Sequence, residues 1–227
     1  TAAAVVRSDG TVLGEHAVSQ SQLTEIWGGV VPHVARDAHA EAIERVMDSA
    51  LRDAGMKPSD IDAVGVTMGP GLEICLRVGY RACRAFAIAN EKPFVAVNHL
   101  EAHILMPRCF DSSVQFPFLT LLVSGGHCQL LLTRDVAKYE VIGGTLDDAL
   151  GEAFDKTARL LGLDVGGGGG PALEVLAREG DPTSIPFPVP MRKRRDCNFS
   201  FAGLKTSVRT VIERSGGTAA VCSNDIL

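Results

Sequence analysis

The chain has 227 residues, of which 46% are hydrophobic and 22% charged, a composition typical of a globular protein with one large domain or two small lobes. Its formal net charge of −5 excludes a general attraction to nucleic acid, so such a contact requires a local basic patch. No apolar run approaches the roughly 18 residues that cross a bilayer, so we expect no membrane segment. The six cysteines form no C-x-x-C pair, which predicts reduced, buried thiols rather than disulfides or a zinc ribbon.

The sequence pattern of the first half of the chain predicts a hairpin followed by alternating helices and strands. Asp9-Gly10 separates two apolar-rich runs, and this dipeptide is typical of a tight turn. A polar loop follows the hairpin. The predicted elements are strands over 2–6 and 12–18, a helix over 35–54, a strand over 61–68, a helix over 78–90, a strand over 94–97 and a short helix after it. Their order indicates a mixed sheet with helical crossovers.

A second unit begins near Phe116, so we predict an N-terminal lobe over 1–115 and a second lobe over 116–227. The second lobe also opens with a hairpin, whose turn is Ser124-Gly125-Gly126-His127. Its further predicted elements are helices over 146–161, 171–178 and 203–213, with five glycines over 166–170. The chain starts inside a strand, and the segment after Ser215 has no helix or strand period. We therefore expect it to be a piece of a longer protein.

Two histidines four residues apart, His99 and His103, give the sharpest chemical signal. Positions i and i+4 of a helix lie one above the other, so the two imidazoles can converge on one metal ion. Two ligands do not complete a metal site. The alternative interpretation is that these are two surface histidines that share one face by chance. The zinc-protease motif requires a glutamate directly after the first histidine, whereas Glu101 lies two residues on. A metalloprotease is therefore disfavoured.

Two glycine-rich stretches each have two interpretations. Ser124-Gly125-Gly126 either leaves backbone N–H groups open to an anion beside the Ser124 hydroxyl or forms a plain hairpin turn. The glycine run over 166–170 is either a flexible linker or a backbone that passes against a ligand. The helix predicted to open at Pro171 would favour an anion at that run. Neither a P-loop nor a dinucleotide-binding glycine motif is present.

Charged residues suggest two further candidate surfaces. Asp148, Glu152 and Asp155 share one face of the predicted helix, which is either solvated or presents Asp155 to a ribose hydroxyl. The run 192–195 (Arg-Lys-Arg-Arg) is either a contact for RNA phosphates or a solvated loop. His127 is either a proton shuttle or a structural histidine. The residues predicted to face the core from the acidic helix are Leu150, Phe154, Ala158 and Leu161.

Taken together, the motifs resemble those of one family, the tRNA N6-adenosine threonylcarbamoyltransferases (TsaD). The matching stretches occur in the family's order: GGVVPHVARDAH (28–39), DIDAVGVTMGPGLEICLRVG (60–79), KPFVAVNHLEAH (92–103), FPFLTLLVSGGHCQLLL (116–132), TLDDALGEAFDKTARLLGL (145–163), GGPALEVLAREGDP (169–182) and CNFSFAGLKT (197–206). The glycine segment and the stretch 191–206 are most similar to the organellar branch, mitochondrial or plastid.

The resemblance implies an α/β fold of the two-lobed, actin-like kind (ASKHA, ribonuclease H-like). It implies a first strand partly missing here and an absent C-terminal part of the second lobe. The implied activity is transfer of threonylcarbamoyl from threonylcarbamoyl-AMP to N6 of the adenosine 3′ to the anticodon in tRNAs reading ANN codons. The implied partners are tRNA and threonylcarbamoyl-AMP. A homodimer or partners from the threonylcarbamoyl-AMP synthase pathway stay open. The implied location is mitochondrial, with plastid or cytoplasm open.

The family's motifs also imply site residues. His99 and His103 correspond to ligands of one divalent metal ion per subunit, iron or zinc, and the family's third ligand, an aspartate, is expected beyond Leu227. The adenine amine is the implied nucleophile, so no protein group is assigned as catalytic. The residues implied to surround the acyl-adenylate are Leu122, Val123, Ser124, Gly125 and Gly126, with Asp155, Gly170 and Glu174 at its nucleoside end.

Two alternative functions remain open. One is a kinase or carbamoyltransferase of the same fold that acts on a small metabolite. The histidine pair argues against it, because phosphoryl transfer calls for Mg²⁺ held by carboxylates. The other is a truncated, non-catalytic homologue that acts as a partner subunit of an active enzyme.

Overall fold

The computed structural model describes residues 1–27, 29–163 and 168–217. Backbone contacts divide the chain into two compact units, Thr1–Gln115 and Phe116–Leu227. Over the described ranges, no helix combines the length and the apolar character needed to cross a bilayer. That the units are a first lobe and the start of a second one stays a prediction.

The first unit holds two separate pairs of strands with helices beside them. The hairpin β1–β2 is antiparallel, with Ala3 opposite His16, and β3 and β4 are parallel, with Val66 opposite Ala96. The hairpin confirms the sequence prediction, and the parallel pair agrees with the predicted helical crossover. The prediction of one mixed sheet is wrong, because within the described residues β1–β2 and β3–β4 are separate two-stranded sheets. The elements are β1 (Ala2–Val6), β2 (Val12–Ala17), α1 (Ser21–Trp27), α2 (Pro32–Asp53), β3 (Val64–Gly69), α3 (Glu73–Ala89), β4 (Phe94–Asn98), α4 (His99–Leu105) and α5 (Pro107–Phe110).

Helix α2 carries most of the buried side chains of the first unit, and it packs on β1, β2 and α3. Val46 on α2 is fully buried. A cavity of about 470 Å³ lies among β1, β3, α2 and α3. The core of this unit therefore forms around α2, as the amphipathic period of the sequence predicts.

The second unit is one three-stranded antiparallel sheet with three helices among its described residues. The sheet order is β5-β6-β7, and Leu121 on β5 lies opposite Leu130 on β6. Leu161 and Ile212 form the buried centre of the helical part. The elements are β5 (Phe118–Val123), β6 (Cys128–Asp135), β7 (Lys138–Gly144), α6 (Leu150–Leu160), α7 (Gly169–Ala177) and α8 (Ala202–Arg214).

Several sequence predictions about these elements are wrong. Helix α1 lies in the region predicted to be a polar loop, and β7 was not predicted. Helix α6 begins at Leu150 rather than at 146, and α7 begins at Gly169 rather than at Pro171. Phe154 was predicted to face the core, but it is 43% exposed and lines a cavity of about 270 Å³ between α6, α7 and α8.

The late start of α6 has a local cause. Thr145 forms a parallel bridge with Phe199, and its hydroxyl donates to the Asp148 carbonyl oxygen at 2.5 Å. These contacts hold 145–148 outside the helix. Residues 164–167, which include the first two glycines of the run, lie outside the described ranges, as do Gly28 and the tail after 217.

Candidate functional site

The histidine pair lies where a strand passes directly into a helix. Asn98 ends β4 and caps α4, and its Oδ1 accepts hydrogen bonds from the N–H groups of Leu100 (2.9 Å) and Glu101 (3.2 Å). An asparagine cap of this kind satisfies N–H groups that have no partner within the helix. It places the helix start at His99, so His103 follows one turn later on the same face.

The two imidazole rings contact each other on the exposed side of α4. Their centroids are 4.5 Å apart, and the ring planes meet at 80°. On the opposite side of the helix, Ile104 is buried and anchors α4 to the unit. The prediction that these histidines lie together is therefore confirmed as geometry, whereas their role as ligands stays a prediction.

The donor set fits part of a metal site. Two imidazoles this close can share one ion, and a catalytic zinc site normally takes three protein ligands. The residues described here contain no group of three or more His, Cys, Asp or Glu side chains placed to hold a metal. His99 and His103 thus offer two nitrogen ligands and no carboxylate neighbour that completes the set within the described chain.

The turn over 124–127 is built by the Ser124 side chain. The Ser124 Oγ accepts hydrogen bonds from the N–H groups of Gly126 (3.3 Å) and His127 (3.0 Å), and the Ser124 N–H donates to the His127 carbonyl oxygen at 2.8 Å. The expectation of several open N–H groups is therefore wrong in part. Of this turn's N–H groups, only that of Gly125 has no partner among the described residues.

The outer side of the same turn is open. A Cβ atom added to Gly125 or to Gly126 would meet no atom within 4 Å. On the strand before the turn, Leu122 is buried, whereas Val123 is 41% exposed. The turn therefore has a buried base and an accessible backbone that a ligand can approach.

Helix α6 packs its first turn directly on this loop through Gly151. The Gly151 N–H donates to the Ser124 carbonyl oxygen at 3.2 Å. A Cβ atom at Gly151 would lie 2.8 Å from the Gly125 Cα and 3.0 Å from the Ser124 carbonyl oxygen, which is too close. Sequence analysis missed Gly151, although an isolated glycine inside a helical pattern is a recognised sign of close packing.

One turn further along α6, Asp155 contacts the start of α7. Its Oδ1 accepts a hydrogen bond from the Gly170 N–H at 3.2 Å. A Cβ atom at Gly169 would lie 2.5 Å from the Asp155 Cα, so glycine is required there as well. The structure thus brings Asp155 and Gly170 together, as the family resemblance predicts, through a direct bond between them.

Glu174, the last predicted site residue, points into solvent. Its carboxylate forms an ion pair with Arg178 at 2.9 Å, and both side chains are about 70% exposed (69% and 71%). The predicted residues of the second unit therefore lie in two groups. Ser124–Gly126, Asp155 and Gly170 follow one side of α6, whereas Glu174 lies at the outer surface of α7.

The acidic face predicted over 148–155 is divided among Lys156, Lys205 and the Gly170 N–H, the last of which donates to Asp155. Lys156 Nζ lies 2.7 Å from Asp148 Oδ1 and 2.8 Å from Glu152 Oε1. The other oxygen of Asp148, Oδ2, is buried and forms an ion pair with Lys205. The hydrogen bond from Lys156 lowers the pKa of Glu152. Asp148 precedes the helix and is mostly buried, so the prediction of one solvated face is wrong.

Sequence analysis also missed Asp147, which holds the start of α8. Its carboxylate accepts hydrogen bonds from the Ser200 hydroxyl (2.5 Å) and from the N–H groups of Phe201 (2.7 Å) and Ala202 (3.3 Å). Burial raises the pKa of Asp147, but these hydrogen bonds outweigh it and hold the pKa below its usual value. No local pattern reveals this contact, because Ser200 lies 53 residues away in sequence.

The basic run over 192–195 forms exposed turns, and Arg194 is paired with Asp196 at 2.7 Å. Both interpretations of the run remain open. The described cysteines are all free, as predicted, but only Cys128 is buried, whereas Cys109 and Cys197 are exposed. Burial raises the pKa of the Cys83 and Cys128 thiols. Cys222 lies outside the described residues.

Comparison with known proteins identifies the family. The family model described as "TsaD: tRNA N6-adenosine threonylcarbamoyltransferase" matches residues 11–225. The chain is 51% identical over 213 residues to an Arabidopsis thaliana protein named "Probable tRNA N6-adenosine threonylcarbamoyltransferase, mitochondrial", covering 94% of this chain and 44% of that protein.

Two bacterial relatives are named tRNA N6-adenosine threonylcarbamoyltransferase. The chain is 49% identical over 208 residues to the Erythrobacter litoralis protein, covering 92% of this chain and 60% of that one. It is 48% identical over 208 residues to the Zymomonas mobilis protein, covering 92% and 57%. The chain therefore spans about half the length of the curated relatives it matches.

These matches place the chain in the actin-like, ribonuclease H-like (ASKHA) class of α/β proteins, which confirms the predicted fold class. Within that class, the chain belongs to the TsaD family of tRNA N6-adenosine threonylcarbamoyltransferases. The names of these relatives favour neither the small-metabolite kinase or carbamoyltransferase nor the non-catalytic partner subunit.

Proposed function

We propose that this protein transfers a threonylcarbamoyl group from threonylcarbamoyl-AMP to N6 of the adenosine 3′ to the anticodon in tRNAs reading ANN codons. The observation that carries the proposal is that a chain of this family presents His99 and His103 as one pair on the exposed side of α4. The N6 amine attacks the acyl carbon and a C–N bond forms. The bond to the phosphate oxygen breaks so that AMP leaves, and the amine nitrogen releases one proton to water.

We further propose that His99 and His103 hold one divalent metal ion, iron or zinc. When bound, such an ion supplies a Lewis acid that polarises the threonylcarbamoyl group. The chain's own contribution is positional. Asn98 sets the start of α4, and the buried Ile104 fixes the face on which the two rings lie. No protein nucleophile is required, because the adenine amine fills that role.

The acyl-adenylate is proposed to lie along the side of α6 that carries the loop over 124–126. The free Gly125 N–H and the open side of this turn support a contact with negative charge that develops as the acyl bond breaks. Asp155 and Gly170 would line the nucleoside end, where their mutual hydrogen bond holds the two segments in place. His127 stays open as a proton shuttle or a structural residue.

The mitochondrial name of the Arabidopsis relative supports a mitochondrial location for this protein. Its substrates are proposed to be tRNA and threonylcarbamoyl-AMP, which agrees with the tRNA in the names of the relatives. We also propose that the protein either forms a homodimer or binds partner proteins from the threonylcarbamoyl-AMP synthase pathway. Organelle fractionation followed by affinity capture tests both the location and the partners.

The activity is tested with this chain and with a version extended to the length of the bacterial relatives. Bound iron and zinc are measured by mass spectrometry, and threonylcarbamoyladenosine is measured in digested tRNA. The test variant carries His99→Ala and His103→Ala. The matched control carries His16→Ala and His33→Ala, which remove two histidines of the same unit that lie outside α4.

We expect metal and activity in the extended protein, both retained in the control and both lost in the test variant. Normal tRNA modification by the His99→Ala, His103→Ala variant would show that the histidine pair is not needed and would overturn the metal-centred mechanism. Absence of modified adenosine from the extended wild-type protein, supplied with threonylcarbamoyl-AMP and tRNA, would overturn the proposed activity itself.

A further inference from the structure

A groove of about 430 Å³ separates α6 from α8 on the surface of the second unit, and we call it the α6–α8 groove. Four of its seven lining side chains are cations, and no carboxylate lines it. This concentration of positive charge stands out in a chain whose net charge is −5. The lining residues are Lys156, Arg159, Leu160, Ala202, Lys205, Thr206 and Arg209.

The four cations are of two kinds. Lys156 and Lys205 are partly buried and are held by Asp148, with Glu152 as a second partner of Lys156. The Asp148 side chain is 14% exposed, so its ion pairs hold the two ammonium groups beside a largely buried carboxylate. Their role within the fold is to join α6 to α8.

Arg159 and Arg209 form the exposed rim, one on each helix. Neither guanidinium has an ion-pair or hydrogen-bond partner within the part of the chain that the structure describes. Four cations therefore face two carboxylates, which leaves the groove with two uncompensated positive charges. Glu213, one turn beyond Arg209, is exposed and lies outside the groove lining.

We propose that the α6–α8 groove binds the phosphodiester backbone of RNA. The free guanidiniums of Arg159 and Arg209, one on each helix, match phosphate oxygens, which arginine contacts with two parallel hydrogen bonds. The Thr206 hydroxyl in the lining already donates to the Ala202 carbonyl oxygen at 3.0 Å, so the phosphate contact depends on the cations. No aromatic residue lines the groove, so it offers no surface on which a base can stack. The contact is therefore one of charge, independent of base sequence.

The groove is a better candidate for this contact than the basic run over 192–195, because its cations lie on two helices that pack together, whereas the run forms exposed turns and its Arg194 is paired with Asp196. The choice of RNA as the ligand rests on the proposed function, in which tRNA is the substrate. The groove would bind the phosphodiester backbone of tRNA. Such a contact positions the tRNA and does not distinguish its bases.

The test compares tRNA binding by the wild-type chain, an Arg159→Gln, Arg209→Gln variant and an Arg45→Gln, Arg52→Gln control. The control loses the same charge from exposed positions on α2, outside the groove. Fluorescence anisotropy at a series of salt concentrations gives the affinity and its salt dependence. Each lost phosphate contact reduces the slope of log K against log salt by about 0.7–0.9.

We expect the groove variant to bind tRNA about 5- to 20-fold more weakly at ~0.1 M salt, with a slope smaller by about 1.5. The control should change less than about 2-fold, since its charges contact no phosphate. Equal losses in the two variants, or no tRNA binding by the wild-type chain, would overturn the proposal. Complete displacement of tRNA by inorganic phosphate at constant ionic strength would also overturn it, because the groove would then be a site for a single phosphate.

These results are separable from the test of the activity. If the extended protein modifies tRNA and its Arg159→Gln, Arg209→Gln variant binds and modifies it normally, the groove proposal is wrong while the activity stands. If the groove variant loses RNA binding but the extended wild-type protein forms no modified adenosine, the groove is supported as an RNA-binding site and the proposed activity is wrong.

Discussion

Asp155 on α6 accepts a hydrogen bond from the Gly170 N–H at the start of α7, with 3.2 Å between Oδ1 and N. The two residues are 15 positions apart in sequence, and the resemblance assigns both to the same end of a bound nucleoside. In the structure a direct hydrogen bond joins them. Asp155 therefore has a structural role in orienting α7 as well as any contact it makes with substrate.

Replacement of Asp155 by alanine should lower the free energy of unfolding by about 1–2 kcal/mol, because a partly buried N–H at the start of a helix loses its charged acceptor. Urea unfolding followed by circular dichroism measures the change. The control is Glu174→Ala on α7, whose exposed ion pair with Arg178 should contribute less than about 0.5 kcal/mol. An equal decrease in the free energy of unfolding in both variants would show that the Asp155–Gly170 hydrogen bond contributes no more to stability than an exposed ion pair.

The contact between Gly151 and the loop over 124–126 gives a second prediction. Gly151→Ala should destabilise the protein by about 1–3 kcal/mol, because the new methyl group overlaps backbone atoms that cannot move aside easily. Gly203 occupies the same second position of α8, but a Cβ atom there meets nothing within 4 Å. Gly203→Ala should therefore be neutral or stabilise by up to about 1 kcal/mol. Thermal unfolding of both variants measures these changes. A Gly151→Ala protein with the melting temperature of the wild type would contradict the close packing.

Asp147 should give stability that depends on pH. Its folded-state pKa is below the unfolded value, so its contribution is present above about pH 4 and is lost as the pH falls through the folded-state pKa. Asp147→Ala should cost about 1 kcal/mol at pH 7, the usual value of a helix cap.

The measurement for Asp147 is urea unfolding of wild type and variant from pH 7 to pH 2. Their difference in stability should shrink below about pH 4. Asp62→Ala, which removes another exposed aspartate, is the control and should follow the wild-type curve within about 0.5 kcal/mol. A difference between wild type and Asp147→Ala that stays constant down to pH 2 would contradict the assigned hydrogen bonds.

Asn98 should act on the histidine pair through the start of α4. In the extended protein, Asn98→Ala should reduce bound metal several-fold, because loss of the cap lets the seven-residue helix fray and separates the two rings. Asn98→Asp retains a cap oxygen and should restore most of the metal content. Metal analysis of the purified variants is the measurement, and full metal content in Asn98→Ala would remove Asn98 from any positioning role.

Local patterns in the sequence were sufficient for much of this molecule. Both hairpins follow from apolar runs that flank turn residues, and α2 follows from its amphipathic period. The meeting of His99 and His103 follows from helix geometry alone, since i and i+4 always share a face. The family motifs, read in order, predicted the fold class as well.

Other elements depended on contacts that local patterns do not encode. Helix α1 is only seven residues long and holds a single i, i+3, i+4 set of apolar residues (Leu23, Ile26 and Trp27), which is too short a pattern to identify a helix. Helix α6 begins late because Phe199, far away in sequence, pairs with Thr145. Phe154 is exposed on α6 although its spacing predicts a core position.

For the candidate site too, some features follow from local sequence and others depend on tertiary contacts. The candidate residues could be predicted from the sequence alone, because residue type and spacing within one helix or turn are local properties. The tertiary structure was needed to show that Asp155 meets Gly170, that Gly151 must be glycine, and that Arg159 and Arg209 line one groove. Those relationships join segments that are distant along the chain, and the packing of the helices α6, α7 and α8 brings them together.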